Sequence, residues 1–372
     1  FDLALGKEIW RKDEFRLRDL GKEPGFYKAY VYKDIVVVNG MYDVFGFNIK
    51  DGTQIWHYKT PHNFEIIEGI MSGNIFALSG SNETIALQVD TKSPIGEVAW
   101  QQKEDGNVYC KPYFLNDLFV SVRMFPYNIT TRYRTTGSLI ARMAVSDLSQ
   151  IDSHPILKEG NLEFPVAYFD KYLAVTDGKY LMVFDVVKMD LIWKTSLPNV
   201  DIAKDLRMRT VVNDKYIVVL KEDFDIKALY CYQLSTGDIL WSSDSGKAKG
   251  PNPIYSMRLE GDMLYGIGEH PGEGFYFVAH DCAKGIRKVY KPFEGYESIP
   301  LVNIRNNIYG NHIVIELQDR KLYEMIVLDK NSGELVKKVQ DEGDGAIGEV
   351  GRVSMTVQNG HPILFSLSKF KY

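Results

Sequence analysis

No apolar run in this chain approaches the roughly 18 residues that a membrane-crossing helix needs. Cysteine is scarce. Cys110, Cys231 and Cys282 are the only three in 372 residues. They are far apart, odd in number and show no CxxC or zinc spacing, so neither a disulfide framework nor a zinc module is encoded. At least one thiol is left over unless it pairs between chains. An excess of positive charge is also missing: 44 Lys and Arg stand against 49 Asp and Glu. The net charge of −5 gives no general pull toward nucleic acid. Helical periodicity is nearly absent. The seven histidines, His57, His62, His154, His270, His280, His312 and His361, form no HExxH motif and no i, i+4 pair. There is no GxSxG elbow and no phosphate-binding loop. Gly266-Ile267-Gly268 follows a strand-like run but opens no helix, so it is not a dinucleotide fingerprint.

What is present is β-type. Hydrophobic residues make up 45% and aromatics 13%, with 23 Tyr, while 31 Gly and 14 Pro are spread through turns. That balance suits packed sheets. The five tryptophans fall in one register. Trp10, Trp56, Trp193 and Trp241 each lie eight residues after Asp2, Asn48, Asp185 and Gln233, and Trp100 lies ten after Asp90. Gly6, Gly52 and Gly237 mark a turn at the fourth step. Asp281 with Gly285 and Asp329 with Gly333 extend the frame, with Val289 and Lys337 in the tryptophan place. A degenerate copy runs through Ala144 to Asp147. These eight positions are 38 to 57 residues apart, the period of a unit of four short strands.

A second marker recurs at the same frequency. A polar turn precedes a short apolar run at Lys33-Asp34, Gly73-Asn74, Asn116-Asp117, Asp170-Lys171, Asp214-Lys215, Gly261-Asp262, Asn311-His312 and Gly360-His361. Asx and Gly supply hairpin geometry, and the β-branched and aromatic runs behind them suit buried strands. Two hairpin markers per unit predict a four-stranded antiparallel meander. Eight of them predict an eight-bladed β-propeller that forms a single domain over residues 1–372. In it the indoles Trp10, Trp56, Trp100, Trp193 and Trp241 cover the gaps between sheets. The chain begins within a repeat, so the closing blade is expected to form by pairing the N-terminal segment with residues 353–367. A removed leader is expected upstream, which points to an extracytoplasmic location (periplasmic, surface-anchored or secreted).

The pattern Asp-x-x-x-Gly-x-x-x-Trp resembles the repeat of the PQQ-like, or quinoprotein-type, propellers. Gln233 to Trp241 and Asp2 to Trp10 are its closest copies. The resemblance implies a propeller fold and leaves the job open. The superfamily contains large quinoprotein alcohol dehydrogenases and small non-catalytic propellers such as BamB, and in length this chain resembles the second kind. The dehydrogenases carry adjacent cysteines near the quinone and Glu, Asn and Asp around calcium. No two cysteines are adjacent here, so the resemblance transfers no catalytic residue, no metal ligand and no cofactor.

Strand order puts both short-turn families on one face and nearly all long loops on the other. Binding is expected on the long-loop face. Its most distinctive segment, Leu118 to Ser146, has no acidic residue. It carries Arg123, Arg132, Arg134 and Arg142, with Phe125, Tyr127 and Tyr133 between them. Arg and Tyr favour recognition surfaces, here for an acidic protein or an anionic glycan. Glu269-His270, beside the Gly-rich stretch Pro271 to Gly274, is the other site-like pair. Asp341-Glu342-Gly343-Asp344 lacks the alternating oxygen ligands of a calcium loop. The sequence therefore favours a non-enzymatic binding propeller with a protein or glycan partner. A PQQ- and calcium-dependent oxidoreductase is one alternative, and a polysaccharide hydrolase or lyase is the other.

Overall fold

A computed structural model describes residues 9–10, 28–39, 43–59, 68–79, 83–89, 100–101, 109–124, 137–145, 150–157, 163–177, 179–198, 207–222, 227–244, 256–270, 274–293, 303–318, 323–340, 353–358 and 361–366. Among these residues all regular structure is β-strand. The first sheet contains β1 (Lys28–Tyr32), β2 (Ile35–Asn39), β3 (Asp43–Asn48) and β4 (Gln54–Lys59). The second has β5 (Glu68–Ser72), β6 (Ile75–Ser79), β7 (Glu83–Gln88) and β8 (Trp100–Gln101), and the third β9 (Tyr109–Leu115), β10 (Leu118–Met124), β11 (Ser138–Ala144) and β12 (Gln150–Leu157). The fourth comprises β13 (Glu163–Phe169), β14 (Tyr172–Thr176), β15 (Tyr180–Asp185) and β16 (Asp190–Ser196). The fifth comprises β17 (Arg207–Val212), β18 (Tyr216–Glu222), β19 (Lys227–Gln233) and β20 (Ile239–Asp244). The sixth holds β21 (Ser256–Glu260), β22 (Met263–His270), β23 (Gly274–Asp281) and β24 (Ile286–Pro292). The seventh holds β25 (Asn303–Tyr309), β26 (His312–Gln318), β27 (Tyr323–Asp329) and β28 (Leu335–Gln340). Each is an antiparallel meander in chain order.

The eightfold count does not hold. β29 (Val353–Gln358) and β30 (His361–Ser366) form a two-stranded sheet. There are seven four-stranded blades among the described residues, and the N-terminal segment expected to pair with residues 353–367 lies outside them apart from Ile9 and Trp10. The sequence markers count hairpins, and a hairpin does not guarantee a four-stranded sheet. The eighth polar turn joins only β29 to β30, and β29 runs beside β1. The first tryptophan, Trp10, makes a contact to the first sheet. Its indole N–H donates to the Ile49 carbonyl at 2.7 Å.

The chain gathers into two compact units. One comprises Phe1–Asn161 with Glu349–Tyr372, the other Leu162–Gly348. Within each, first strands of successive sheets are neighbours, as β5 with β9 and β17 with β21. Second and third strands are therefore covered on both faces. Every residue of β23 is buried, as are Val36 to Asn39 of β2. This explains why these strands read as unbroken apolar runs instead of alternating ones. Fourth strands are mostly exposed.

The repeat markers have a common physical basis. The carboxyl or amide at the first position caps the turn between strands three and four. Asp185 accepts from the backbone N–H groups of Val187 and Lys188, and Asn48 from that of Lys50. Asp329 accepts from Ser332 and Asn331, which hold its carboxyl below the usual carboxylate range. The glycine that follows has a left-handed backbone, φ 70° at Gly52 and 77° at Gly237. It also clears a space, because a Cβ at Gly52 would lie 2.7 Å from the Trp10 ring, and one at Gly237 2.8 Å from Trp193. The tryptophan of one sheet thus lies on the turn of the next. Trp193 donates to the Leu234 carbonyl at 2.8 Å and Trp241 to that of Cys282 at 2.7 Å.

Two copies were misaligned by sequence. The backbone N–H after the marker position returns to the first hairpin turn in every sheet: Ile49 to Asp34, Leu234 to Lys215 and Cys282 to Asp262. The same bond runs from Val89 to Asn74 and from Val145 to Asp117. The markers in the second and third sheets are therefore Gln88 and Ala144, not Asp90 and Asp147. Trp100 stands opposite Thr84, two residues along from the place the other tryptophans take. In the third sheet the tryptophan place is held by Asp152, which stands opposite Arg142 and forms an ion pair with it. That pairing raises the Arg142 guanidinium and lowers the Asp152 carboxyl relative to their ordinary values.

Candidate interaction surfaces

The residues nominated from sequence begin where second strands end. Arg123 is the penultimate residue of β10, opposite Cys110 and Leu139. Glu269 and His270 close β22, opposite Phe275 and Gly274. Both strands run away from their short polar turns, but only β10 leads into a long connection, residues 125–137. Glu269 and His270 are paired strand residues that three residues join to β23, so the elaborated loop expected there is a short hairpin. Beside the second pair, Gly268 has a packing role. A Cβ there would overlap the Tyr276 phenol, which is buried and tilts against Tyr290 at 5.1 Å. Tyr127, Arg132, Tyr133 and Arg134 lie outside the described residues.

The outer strands carry a feature the sequence analysis missed. In six sheets the pairing of strand three with strand four slips by one residue next to the tryptophan place, a β-bulge on the outer strand. The extra residue is Ile55, Ile151, Ile192, Leu240, Lys288 or Val336. Five of the six are apolar, and all five are exposed, Ile151 by 54% and Val336 by 53%. The residue before the bulge is turned outward too. Leu191, Ile239 and Leu335 are exposed, Leu335 by 60%. Simple alternation would have sent one residue of each pair inward. The bulge places both on the surface, while the tryptophan place beyond it points into the seam. The signal was legible: two apolar residues run directly into the tryptophan place at Leu191-Ile192, Ile239-Leu240 and Leu335-Val336.

Basic side chains accompany this rim on the sixth and seventh sheets. Lys291 pairs with Glu334 at 2.5 Å, Lys338 with Glu324 at 2.9 Å and Lys288 with Asp281 at 3.9 Å. Arg287 lies 4.9 Å over the Tyr290 ring. The short-turn side is held by latches between neighbouring sheets. Asn213 donates to the Gly261 carbonyl, and Lys215 and Tyr216 both reach Asp262. The Lys215 hydrogen bond pulls Asp262 below its usual range, and the same bond raises Lys215. Asn306, fully buried, donates its backbone N–H to Ser256 Oγ. Among the described residues no three His, Cys, Asp or Glu side chains are grouped to hold a metal ion, and no helix is long and apolar enough to cross a membrane.

No protein-family model matches the chain, and no curated protein sequence does. Solved structures match its fold. BamB from Moraxella catarrhalis is 12% identical, with a TM-score of 0.60 over 92% of this chain and 93% of that one. Apo AztD from Citrobacter koseri is 11% identical, with a TM-score of 0.57 over 86% of each. The quinohemoprotein alcohol dehydrogenase ADHIIG from Pseudomonas putida HK5 is 10% identical. Its TM-score is 0.60 over 92% of this chain but only 69% of the enzyme. The fold is therefore that of a β-propeller, and the likeness takes in nearly all of that BamB chain.

Proposed function

We propose that the chain is a non-enzymatic β-propeller that binds a protein partner outside the cytoplasm. It uses the face that bears the long connections, with Arg123, Tyr127, Arg132, Tyr133, Arg134, Glu269 and His270 as contact residues. The observation that carries this reading is the fixed departure point of those connections. Arg123 stands next to the last rung of β10, so the connection of residues 125–137 starts from a paired strand, and Glu269 and His270 are themselves held on paired rungs. Rigid placement lowers the ordering cost of binding. The near-complete overlap with BamB supports the reading, and an anionic glycan fits the same arginines. In cross-linking pull-downs from the native cell envelope, Arg132→Glu with Arg134→Glu should reduce capture at least tenfold. Leu335→Lys with Val336→Lys, on the outer rim, should leave it intact. Capture lost only with the rim pair would transfer the site to the outer strands and overturn this assignment.

The likeness to a quinohemoprotein dehydrogenase favours a second reading, oxidation of alcohols or sugars with PQQ and calcium. The residues do not fit it. The thiols of Cys231 and Cys282 come from separate sheets and are not neighbours in sequence. No residues of this sequence can be matched to the calcium ligands of those enzymes.

A further inference from the structure

Two thiols meet at the seam between the fifth and sixth sheets. Cys231 stands opposite Trp241. Cys282 follows β23, and its carbonyl accepts the Trp241 indole N–H. The Cys231 Sγ lies 3.9 Å from that same carbonyl oxygen. Both thiols are free and fully buried, and both belong to one apolar cluster. Hydrogen bonding with the Cys282 thiol, followed by burial, raises the Cys231 thiol far above the ordinary cysteine range.

The neighbouring seam shows what the repeat asks of these two places. There Val183 stands opposite Trp193, and Leu234 supplies the carbonyl that the indole reaches. Both are buried in one cluster. An aliphatic pair therefore satisfies the packing, and a thiol in either place alone would serve as a small apolar group. At the next seam both members are cysteine, and the Cys231 thiol reaches the Cys282 carbonyl at 3.9 Å.

We propose that Cys231 and Cys282 are a covalent cross-linking site, with an oxidised form in which a disulfide ties the fifth sheet to the sixth. The oxidant is a small-molecule disulfide. One cysteine thiolate attacks it, forming a mixed disulfide and expelling one small thiol. The second cysteine then attacks the protein-side sulfur, closing the Cys231–Cys282 bond and expelling the other. Two protein thiols lose two electrons and two protons, and one external disulfide becomes two thiols. In the folded chain both sulfurs are buried and the Cys231 thiol is held protonated, which suppresses the attacking thiolate. Closure therefore belongs to folding, before the Trp241 seam shuts. This site is independent of the partner-binding reading.

The test uses the full chain carrying Cys110→Ser, denatured and refolded with either glutathione disulfide or a reductant. The oxidised sample should lose both titratable thiols and two hydrogens of mass. It should yield one peptide joining Cys231 to Cys282, and it should melt several degrees above the reduced sample. A Cys110→Ser, Cys231→Val control should melt alike in both buffers. Two remaining thiols, glutathione adducts on each cysteine, or a cross-linked form that melts below the reduced one would overturn the proposal. If refolding yields are too low, the natively purified chain in sub-denaturing urea with glutathione disulfide decides between the same outcomes.

Discussion

His280 shows what a single side chain adds to the seam. It is buried, stacks on Trp241 at 6.1 Å between ring centroids, and its Nε2 has no hydrogen-bond partner among the described residues. Burial, with the Arg287 charge second, pushes the imidazole down to about 4 from 6.5. Between those values the unfolded chain takes up a proton that the folded chain refuses. The neutral ring's contribution is complete above pH 6.5 and is lost as pH falls toward 4, about 3 kcal/mol in all. Urea unfolding at stepped pH should therefore show stability dropping on acidification through that window. His280→Phe, which keeps the stack, should flatten the slope; an unchanged slope would assign the acid sensitivity to other groups. None of this was legible in the sequence, where His280 is one histidine among seven. Its environment is created by a tryptophan 39 residues away on another sheet.

At the scale of the strand, most of the architecture was read correctly and the outer surface, though its signal was present, was not. Polar turns and apolar runs gave the second and third strands correctly because those strands are covered on both faces and need no alternation. The fourth strands were read only through tryptophan, so Ile151 with Asp152 and Leu335 with Val336 passed unnoticed. The slip of Asp90 for Gln88 has a similar origin. The capping role tolerates Gln or Ala when the backbone bond from Val89 or Val145 is kept. Exposed apolar residues at the bulges contribute little to folding, since unfolding barely changes their contact with water. Leu335→Lys with Val336→Lys should accordingly shift unfolding free energy by no more than about 0.5 kcal/mol. Chemical denaturation measures this, and a loss of several kcal/mol would mean the pair is covered in the native protein.

For the whole molecule, the β-propeller fold was readable from one nine-residue pattern, whereas the number of complete sheets was not. Turn signals are local, and a four-stranded sheet requires partners the signals cannot guarantee. The candidate contact residues were chosen on loop length and composition, and only Arg123, Glu269 and His270 among them fall on described strands. At this scale the binding reading and the oxidoreductase reading part. Purified chain mixed with PQQ and calcium should give no dye reduction with alcohols or sugars above the cofactor-only background; turnover that follows protein concentration would reverse the assignment. The bulges have one more consequence. Every four-stranded sheet ends in a strand whose outer backbone groups invite another chain, and here those strands are rich in Ile, Leu and Val. The slip interrupts the strand after two or three residues and twists it. No straight stretch of free backbone is then long enough to template cross-β stacking. A protein with greasy blade margins is in this way kept from polymerising into fibrils.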